Sequence, residues 1–137
     1  MKRSERGSLR ILVTGSRTWT DEKEIARALF EEWWHAGEPR DVTLVHGTAR
    51  GADVLAAKIA VGQGWKVEPH PADWERYGNR AGYIRNSEMV NSGVDVCVAF
   101  ILDGSKGATM CAALASNAKV PTRVVSMTSA PVESVSV

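Results

Sequence analysis

The stretch LRILVTGSRTW, residues 9–19, joins an apolar run to a flexible, polar and cationic turn. Ile11, Leu12 and Val13 predict a buried strand, because aliphatic residues without polar alternation are typical of strands covered on both faces. Gly15-Ser16-Arg17 then ends the strand with residues suited to an anion, since glycine allows close backbone approach and arginine binds phosphate in a bidentate manner. The stretch predicts a first β-strand followed by one wall of a phosphate site.

Apolar runs and amphipathic segments alternate along the rest of the chain. The predicted strands are residues 10–14, 42–46, 66–70, 94–102 and 122–127, and the predicted helices are residues 21–36, 51–63, 79–91 and 107–118, the first capped by Thr20. Strict alternation predicts an α/β class: a single Rossmann-like domain, residues 9–128, with helices on both faces of a mainly parallel five-stranded sheet in the order 3-2-1-4-5. Residues 1–8 and 129–137 are expected to form a flexible arm and a flexible tail.

Composition excludes several classes of protein. The chain has 137 residues, enough for one domain, and its 17 basic and 16 acidic residues give a net charge of +1. This balance is atypical of a general nucleic-acid or membrane-surface binder. The longest apolar run, residues 96–102, is too short to span a bilayer, and the N-terminal residues lack the apolar region of a signal peptide. We therefore expect a cytoplasmic protein with no membrane association.

Cysteine and histidine spacing indicates neither a disulfide framework nor a metal site. Cys97 and Cys111 fall in different predicted elements, which favours reduced thiols in a cytosol. His35, His46 and His70 are isolated from one another and show no zinc-ligand spacing. No metal and no cofactor are expected.

The predicted strand order brings the turns after strands one and four together, where ligands bind in such sheets. The segment 103–107, Asp-Gly-Ser-Lys-Gly, follows strand four and opens a helix whose N–H groups and dipole favour an anion. Gly-Ser turns are common in βα units, but two of them with cations at adjacent strand ends favour phosphate binding. The candidate ligand residues here are Gly15, Ser16, Arg17, Gly104, Ser105, Lys106, Gly107 and Thr109.

The turn after strand two, residues 46–53, forms a third wall. Asp53 would lie in the first turn of the next helix, where a carboxylate occupies the positive end of the dipole and repels phosphate. The turn is therefore interpreted as sugar-binding or structural, and ordinary dipole stabilisation accounts for Asp53 equally well. His46 is either a ligand contact or a structural histidine.

A long segment after strand three, PHPADWERYGNRAGYIRN, offers aromatic and polar groups. Trp74 and Tyr77 either stack on a base or cover the edge of the core, and Asp73 is a candidate polar contact. Arg85 either contacts ligand or is held by Glu88 on the same helix face. Near the end of the first helix, core packing explains one of Trp33 and Trp34, and the other is interpreted as a contact in a homodimer.

Common catalytic and nucleotide-binding motifs are absent from the sequence. It contains no G-x-x-x-x-G-K-[ST], and a single glycine after strand one excludes the dinucleotide fingerprint. No G-x-S-x-G elbow occurs, and Cys111 has no base partner within its helix. The ligand site must be of another Rossmann-like kind.

Four segments carry a resemblance to a known family: ILVTGSRTWTD, VHGTARGAD, VEPHPADWERYGNRAGYIRNSEMV and DGSKGATMCAALA. In this order they resemble the motifs of the YspA-type, cpYpsA-related SLOG family, related to the LOG phosphoribohydrolases and DprA. The resemblance covers roughly residues 9–125. It implies a Rossmann-like sheet, a bacterial or phage origin and a nucleotide-derived ligand.

The resemblance also implies roles for individual residues. The first ligand-facing turn of the family matches Gly15, Ser16 and Arg17. The second turn matches Arg50, Gly51 and Asp53, which follow His46 and Gly47. The family's RN pair matches Arg85 and Asn86. A LOG enzyme has P-G-G-x-G-T-x-x-E where this chain reads 103–110, so Ala108 stands at the usual Thr and Met110 at the Glu. N-glycosidic cleavage then lacks its expected carboxylate, and Asp103 or Asp53 is the candidate substitute.

Three functions follow as expectations. The first is a module that binds or senses a nucleotide-derived small molecule, and the replacement of Glu by Met110 favours it. The second is a hydrolase that cuts a nucleotide at its N-glycosidic or phosphate linkage. The third, single-stranded DNA binding, is disfavoured by the near-neutral charge.

Overall fold

The computed structural model describes residues 7–129. Most of the predicted arm (1–8) and tail (129–137) therefore lies outside the described residues. Ser8 already belongs to the first strand, and Ser129 donates two hydrogen bonds to the carboxylate of Asp103, one from its backbone N–H at 2.9 Å and one from its hydroxyl at 2.7 Å.

Five strands form one sheet in which every pairing is parallel. The strands are β1 (Ser8–Gly15), β2 (Asp41–His46), β3 (Lys66–Pro69), β4 (Val96–Leu102) and β5 (Thr122–Met127), in the order β3-β2-β1-β4-β5. The central strand β1 places Leu12 between Val45 of β2 and Cys97 of β4. The predicted fold class and strand order are confirmed, and winding reverses between β1 and β4.

Five α-helices connect the strands. They are α1 (Glu22–His35), α2 (Ala52–Gly62), α3 (Trp74–Tyr77), α4 (Ala81–Val90) and α5 (Lys106–Asn117), with a 3₁₀ turn at Gly78–Arg80. The predicted cap of α1 was wrong by one residue: Asp21, rather than Thr20, accepts a hydrogen bond from Glu24 N–H at 3.2 Å. The long segment after β3 is partly helical, because α3 and the 3₁₀ turn occupy much of it.

Helices cover both faces of the sheet. One apolar cluster joins β1, β2 and β4 to Ile25 and Leu29 of α1 and to alanines of α2. The cluster on the other face joins Leu12 and Cys97 to Met89 of α4 and to residues of α5. Because the central strands are buried on both sides, their sequences lack polar alternation. No helix within residues 7–129 is long and apolar enough to cross a membrane.

The two adjacent tryptophans of α1 have different environments. Trp33 packs against the core and donates from Nε1 to the carbonyl of Pro39 at 2.9 Å. Trp34 is 65% exposed and stacks on the ring of His35. The core role expected for one tryptophan is therefore met by Trp33, and a dimer contact through Trp34 stays a prediction.

A polar cluster crosses the sheet on the side of α4. Arg10 of β1 donates to both carboxylate oxygens of Glu68 on β3, at 2.8 and 2.9 Å, across the intervening strand. His70 Nε2 lies 2.7 Å from the same carboxylate. The carboxylate is held ionised mainly by its hydrogen bond with Arg10, which lowers the pKa of Glu68 to about 2. This cluster fixes the end of β3, from which the segment that carries Trp74 departs.

Candidate functional site

A cleft of about 450 Å³ opens at the carboxyl ends of β1 and β4. Its walls come from the turn after β1, the start of α2, one face of α4 and the start of α5. Eight of the candidate residues line it: Gly15, Ser16, Arg17, Asp53, Arg85, Asn86, Ser105 and Gly107. The cleft therefore lies at the switch point where the strand order predicts a ligand.

Ser16 ties the β1 turn to its neighbours. Its hydroxyl accepts from Leu102 N–H at 2.8 Å and donates to the Leu102 carbonyl at 3.3 Å, while its own carbonyl accepts from Ala52 N–H at 3.2 Å. The residue is 2% exposed. The hydroxyl predicted to donate to phosphate is thus engaged in shaping the cleft.

The glycines beside Ser16 are required by close packing. A Cβ on Gly15 would lie 2.3 Å from Cβ of Ala52 in α2. Gly51 has a φ of +76°, and a Cβ there would lie 2.3 Å from the Ser16 carbonyl oxygen. Both glycines let the β1 turn rest directly on the start of α2, so steric contact within the protein accounts for them. Gly51 itself lies outside the cleft lining.

Asp53 is buried at the start of α2, with 4% of its surface exposed. Its Oδ2 accepts hydrogen bonds from Gly47 N–H at 2.9 Å and Ala49 N–H at 3.3 Å. Its Oδ1 has no hydrogen-bond partner among the described residues. Burial raises the pKa of Asp53 to about 6, although the two N–H groups, Arg85 and Arg17 oppose the shift. The helix end is therefore already occupied by a carboxylate, as predicted for this turn.

Arg85 is clamped in place by neutral acceptors. Its Nη1 donates to the carbonyl of Gly47 and, at 3.5 Å, to that of His70. Its Nε donates to Oδ1 of Asn86 at 2.7 Å. Glu88, the alternative partner expected from the sequence, is exposed, and the hydrogen bonds of Arg85 go to Gly47, His70 and Asn86 instead. The guanidinium lines the cleft with its charge uncancelled by any ion pair within residues 7–129.

Arg17 lies in the turn after β1 and is exposed at the mouth of the cleft. Its positive charge acts on Asp53 and, like that of Arg85, opposes the rise in the pKa of Asp53 that burial causes. Two arginines therefore face one buried carboxylate, which leaves an excess of positive charge in the cleft.

The start of α5 forms the opposite wall. Ser105, Gly107 and Ala108 line the cleft, and the Ser105 side chain makes no hydrogen bond to the first helical turn. The first backbone N–H groups of an α-helix have no hydrogen-bond partners within the helix. The positive end of the helix dipole lies at the same place. The hydroxyl of Thr109 instead donates to the Ser105 carbonyl at 2.6 Å. Gly104, Lys106 and Thr109, three of the predicted contacts, are exposed and lie outside the cleft lining.

The two candidate catalytic carboxylates have different positions. Asp103 is fully exposed, adopts a φ of +52° and accepts both hydrogen bonds from Ser129, outside the cleft. These bonds lower the pKa of Asp103. Asp53 lines the cleft. The structure thus brings only the second of these carboxylates to the residues around Arg17.

His46 and Arg50 are two further candidates from the segment 46–53, and both lie outside the cleft lining. His46 is buried, its Nδ1 accepts from Thr48 N–H at 3.0 Å, and burial lowers its pKa. These contacts favour the structural interpretation of His46. Arg50 is exposed and is absent from the cleft lining.

A side recess of about 150 Å³ adjoins the main cleft. Arg17, Ala49 and Arg85 line both, and the recess adds Gly47 and Trp74. Trp74 is 53% exposed, so about half of its surface is accessible. Asp73 instead caps α3 by accepting from Arg76 N–H at 3.1 Å. The recess gives the cleft an aromatic surface beside its two arginines.

Asn86 and Met110 meet beneath the cleft. Asn86 is 5% exposed, and its Nδ2 contacts the thioether sulfur of Met110 at 3.6 Å. A thioether is a weak acceptor, so this amide retains capacity to donate. The nine positions of the LOG pattern, counted from Asp103, place its glutamate at Cys111, so the assignment to Met110 was wrong by one residue. Neither Met110 nor Cys111 presents a carboxylate beside Asn86.

Sequence reasoning missed six residues that line the cleft: Thr14, Thr18, Ala49, Met89, Leu102 and Ala108. Thr14 and Leu102 lie at the ends of adjacent strands, a position that the strand order could have indicated. Ala49 and Ala108 carry no chemical signal, because they contribute only shape.

Neither metal ligation nor thiol chemistry is indicated in the described part of the chain. No three His, Cys, Asp or Glu side chains within residues 7–129 group as metal ligands. Both cysteines are free and buried, and burial raises the pKa of Cys111 to about 11 and that of Cys97 to about 12. Thiols with such pKa values stay protonated at neutral pH and are poor nucleophiles.

An all-parallel, doubly wound sheet with a cationic cleft at its switch point defines the class of this protein as a Rossmann-like α/β domain. A model of the YspA, cpYpsA-related SLOG family matches residues 9–77, and the chain belongs to that family. The Gene 61 protein of Mycobacterium phage D29 is 44% identical over 117 residues, which cover 82% of this chain and 92% of the relative. No solved structure matches the chain.

Proposed function

We propose that this domain binds a nucleotide-derived small molecule through its phosphate. The observation that carries the proposal is the convergence of Arg17, Arg85 and the start of α5 on one cleft. Paired guanidinium groups and unbonded helix N–H groups are the donors that phosphate oxygens prefer in proteins. A cleft of about 450 Å³ is also within the range typical of small-molecule sites.

The side recess supports a nucleotide as the source of the phosphate. Trp74 offers an exposed side chain next to both arginines. Any of the bases can stack on an aromatic ring, because every base has a π-face. A ligand with its phosphate at α5 and its base against Trp74 would use both cavities at once. An inorganic anion would use only the first.

The test is titration calorimetry with a panel of nucleoside monophosphates, cyclic nucleotides and ADP-ribose. Arg17→Ala should weaken binding by about tenfold or more, because a hydrogen bond to a charged group contributes about 1.5–3 kcal/mol. Arg40→Ala, an exposed arginine outside the cleft, is the matched control and should leave affinity unchanged. Trp74→Ala should weaken nucleotides but not inorganic phosphate. Unchanged affinity in Arg17→Ala would contradict the phosphate site.

A nucleotide hydrolase is the second candidate, and Asp53 is the observation that favours it. A buried carboxyl group with a pKa of about 6 and one unbonded oxygen is suited to general acid–base work. The test uses chromatography to monitor the release of free base from a nucleoside monophosphate. Release by the wild-type protein that is lost in Asp53→Asn would establish this function. A ligand that binds and is recovered intact after long incubation would leave the binding module as the function.

A further inference from the structure

The unbonded oxygen of Asp53 indicates what the ligand must carry besides a phosphate. Oδ2 is satisfied by the Gly47 and Ala49 N–H groups, whereas Oδ1 has no donor among the described residues. The side chain is buried and lines the cleft. A buried acceptor without a partner costs free energy, so a ligand that donates to it gains affinity.

We propose that Asp53 selects phosphate esters that also bear a sugar hydroxyl, by accepting a hydrogen bond from that hydroxyl at Oδ1. This inference rests on the proposed phosphate site. It adds a specificity-determining residue and a ligand class, a hydroxylated phosphate ester rather than a phosphate alone.

The charges around Asp53 argue for a hydroxyl rather than another donor. Arg17 and Arg85 face the same carboxylate, and they would repel an ammonium group brought to Oδ1. A second phosphate oxygen at this position would be repelled by the carboxylate itself. A hydroxyl group is neutral and donates one proton, so it satisfies Oδ1 without either penalty.

Asn86 supplies the complementary donor in the same cleft. Its Oδ1 accepts from Arg85 Nε at 2.7 Å, which fixes the orientation of the amide. Among residues 7–129, its Nδ2 is then left with only the Met110 sulfur, at 3.6 Å. An acceptor on Asp53 and a donor on Asn86 match the two capacities of a hydroxyl, or of the pair of hydroxyls on a ribose.

The experiment compares AMP with 2′,3′-dideoxy-AMP, which differ only in the sugar hydroxyls, and includes inorganic phosphate. Amide NMR shifts of the labelled protein give dissociation constants even for weak ligands and report on folding. The wild-type protein should bind AMP about tenfold or more tightly than the dideoxy compound, because a site built to bond a hydroxyl rejects the analogue lacking it. In Asp53→Asn the two affinities should agree within about threefold. Phosphate affinity in this variant should be equal or higher, since a repelling charge is gone.

Asp41→Asn is the matched control, because Asp41 is exposed at the start of β2 and pairs with Lys66. It should retain the full preference for AMP. Equal affinities for the two nucleotides in the wild-type protein, or an unchanged preference in Asp53→Asn, would overturn the role of Asp53 while phosphate binding stands. If the wild-type protein binds neither nucleotide nor phosphate, the proposed function itself fails.

Discussion

The hydroxyl of Ser16 and the backbone of Leu102 form a reciprocal pair of hydrogen bonds, with the Leu102 N–H donating at 2.8 Å and the Ser16 O–H donating at 3.3 Å. Ser16 follows β1 and Leu102 ends β4, so the pair joins the two strands at the point where winding reverses. These hydrogen bonds therefore link two walls of the cleft, the turn that carries Arg17 and the end of the strand that leads to α5.

Replacing Ser16 by alanine should destabilise the domain. The variant leaves the part-buried Leu102 N–H without its partner, and we expect the free energy of unfolding to fall by about 1–3 kcal/mol. Urea denaturation measures this loss. Ser126→Ala, at an exposed position of β5, is the control and should change stability by less than about 0.5 kcal/mol. Equal stability of both variants would show that the Ser16 bonds contribute little.

Substitution of Gly51 by alanine should be more damaging. The positive φ and the predicted overlap of a Cβ with the Ser16 carbonyl together suggest a loss of about 2–4 kcal/mol. Gly62→Ala, in the same helix with open space around its Cβ position, should be neutral or slightly stabilising. Thermal melting of the two variants, measured side by side, gives the answer. A Gly51→Ala protein as stable as Gly62→Ala would mean that the β1 turn can move away from α2.

Arg85 and Arg17 should differ in their effect on stability. Arg85 bonds to Gly47, His70 and Asn86, so Arg85→Ala should lower the free energy of unfolding by about 1–3 kcal/mol. Arg17 is exposed, and Arg17→Ala should cost less than about 0.5 kcal/mol. Urea denaturation distinguishes the two. Similar losses in both variants would contradict the clamp seen around Arg85.

Asp53 should make stability depend on pH. Its pKa is about 6 in the folded state against an ordinary value of 3.8, so between these values the folded protein binds more protons than the unfolded chain. The stabilising contribution is fully present below about pH 4 and is lost as pH rises through 6, a change of roughly 3 kcal/mol. Arg17, Arg85 and Cys111 are the ionisable groups that face this carboxyl.

The free energy of unfolding is measured for the wild-type protein and for Asp53→Asn. Subtracting one from the other removes the contribution of titrating groups other than Asp53. Asp53→Asn should gain stability relative to the wild type between pH 4 and pH 7, when both are measured by urea denaturation. A difference that stays constant over this range would show that Asp53 titrates near its ordinary pKa.

Much of the cleft could be predicted from strand-end chemistry alone. The turn after β1 and the opening of α5 were recognised because glycines, hydroxyls and cations followed two apolar runs, and the strand order made them neighbours. Lys106 and Thr109 lie outside the cleft lining because helical geometry turns successive side chains by about 100°, so only part of a first turn can face a ligand. For Arg50 and Asp103 the local backbone decided the side-chain position, and no pattern in the sequence records it.

The sequence by itself determined the class of the fold, since alternation of apolar runs with helical stripes allows few arrangements once crossovers are right-handed. It also determined the family, because residues 9–77 match the model of that family. Only the tertiary structure decided what each polar group does. Ser16 bonds to Leu102, Arg85 donates to Gly47, and Asp53 keeps one oxygen without a hydrogen-bond partner among the described residues. Contacts between residues distant in the chain decide which hydrogen-bonding groups are satisfied within the protein and which remain for a ligand.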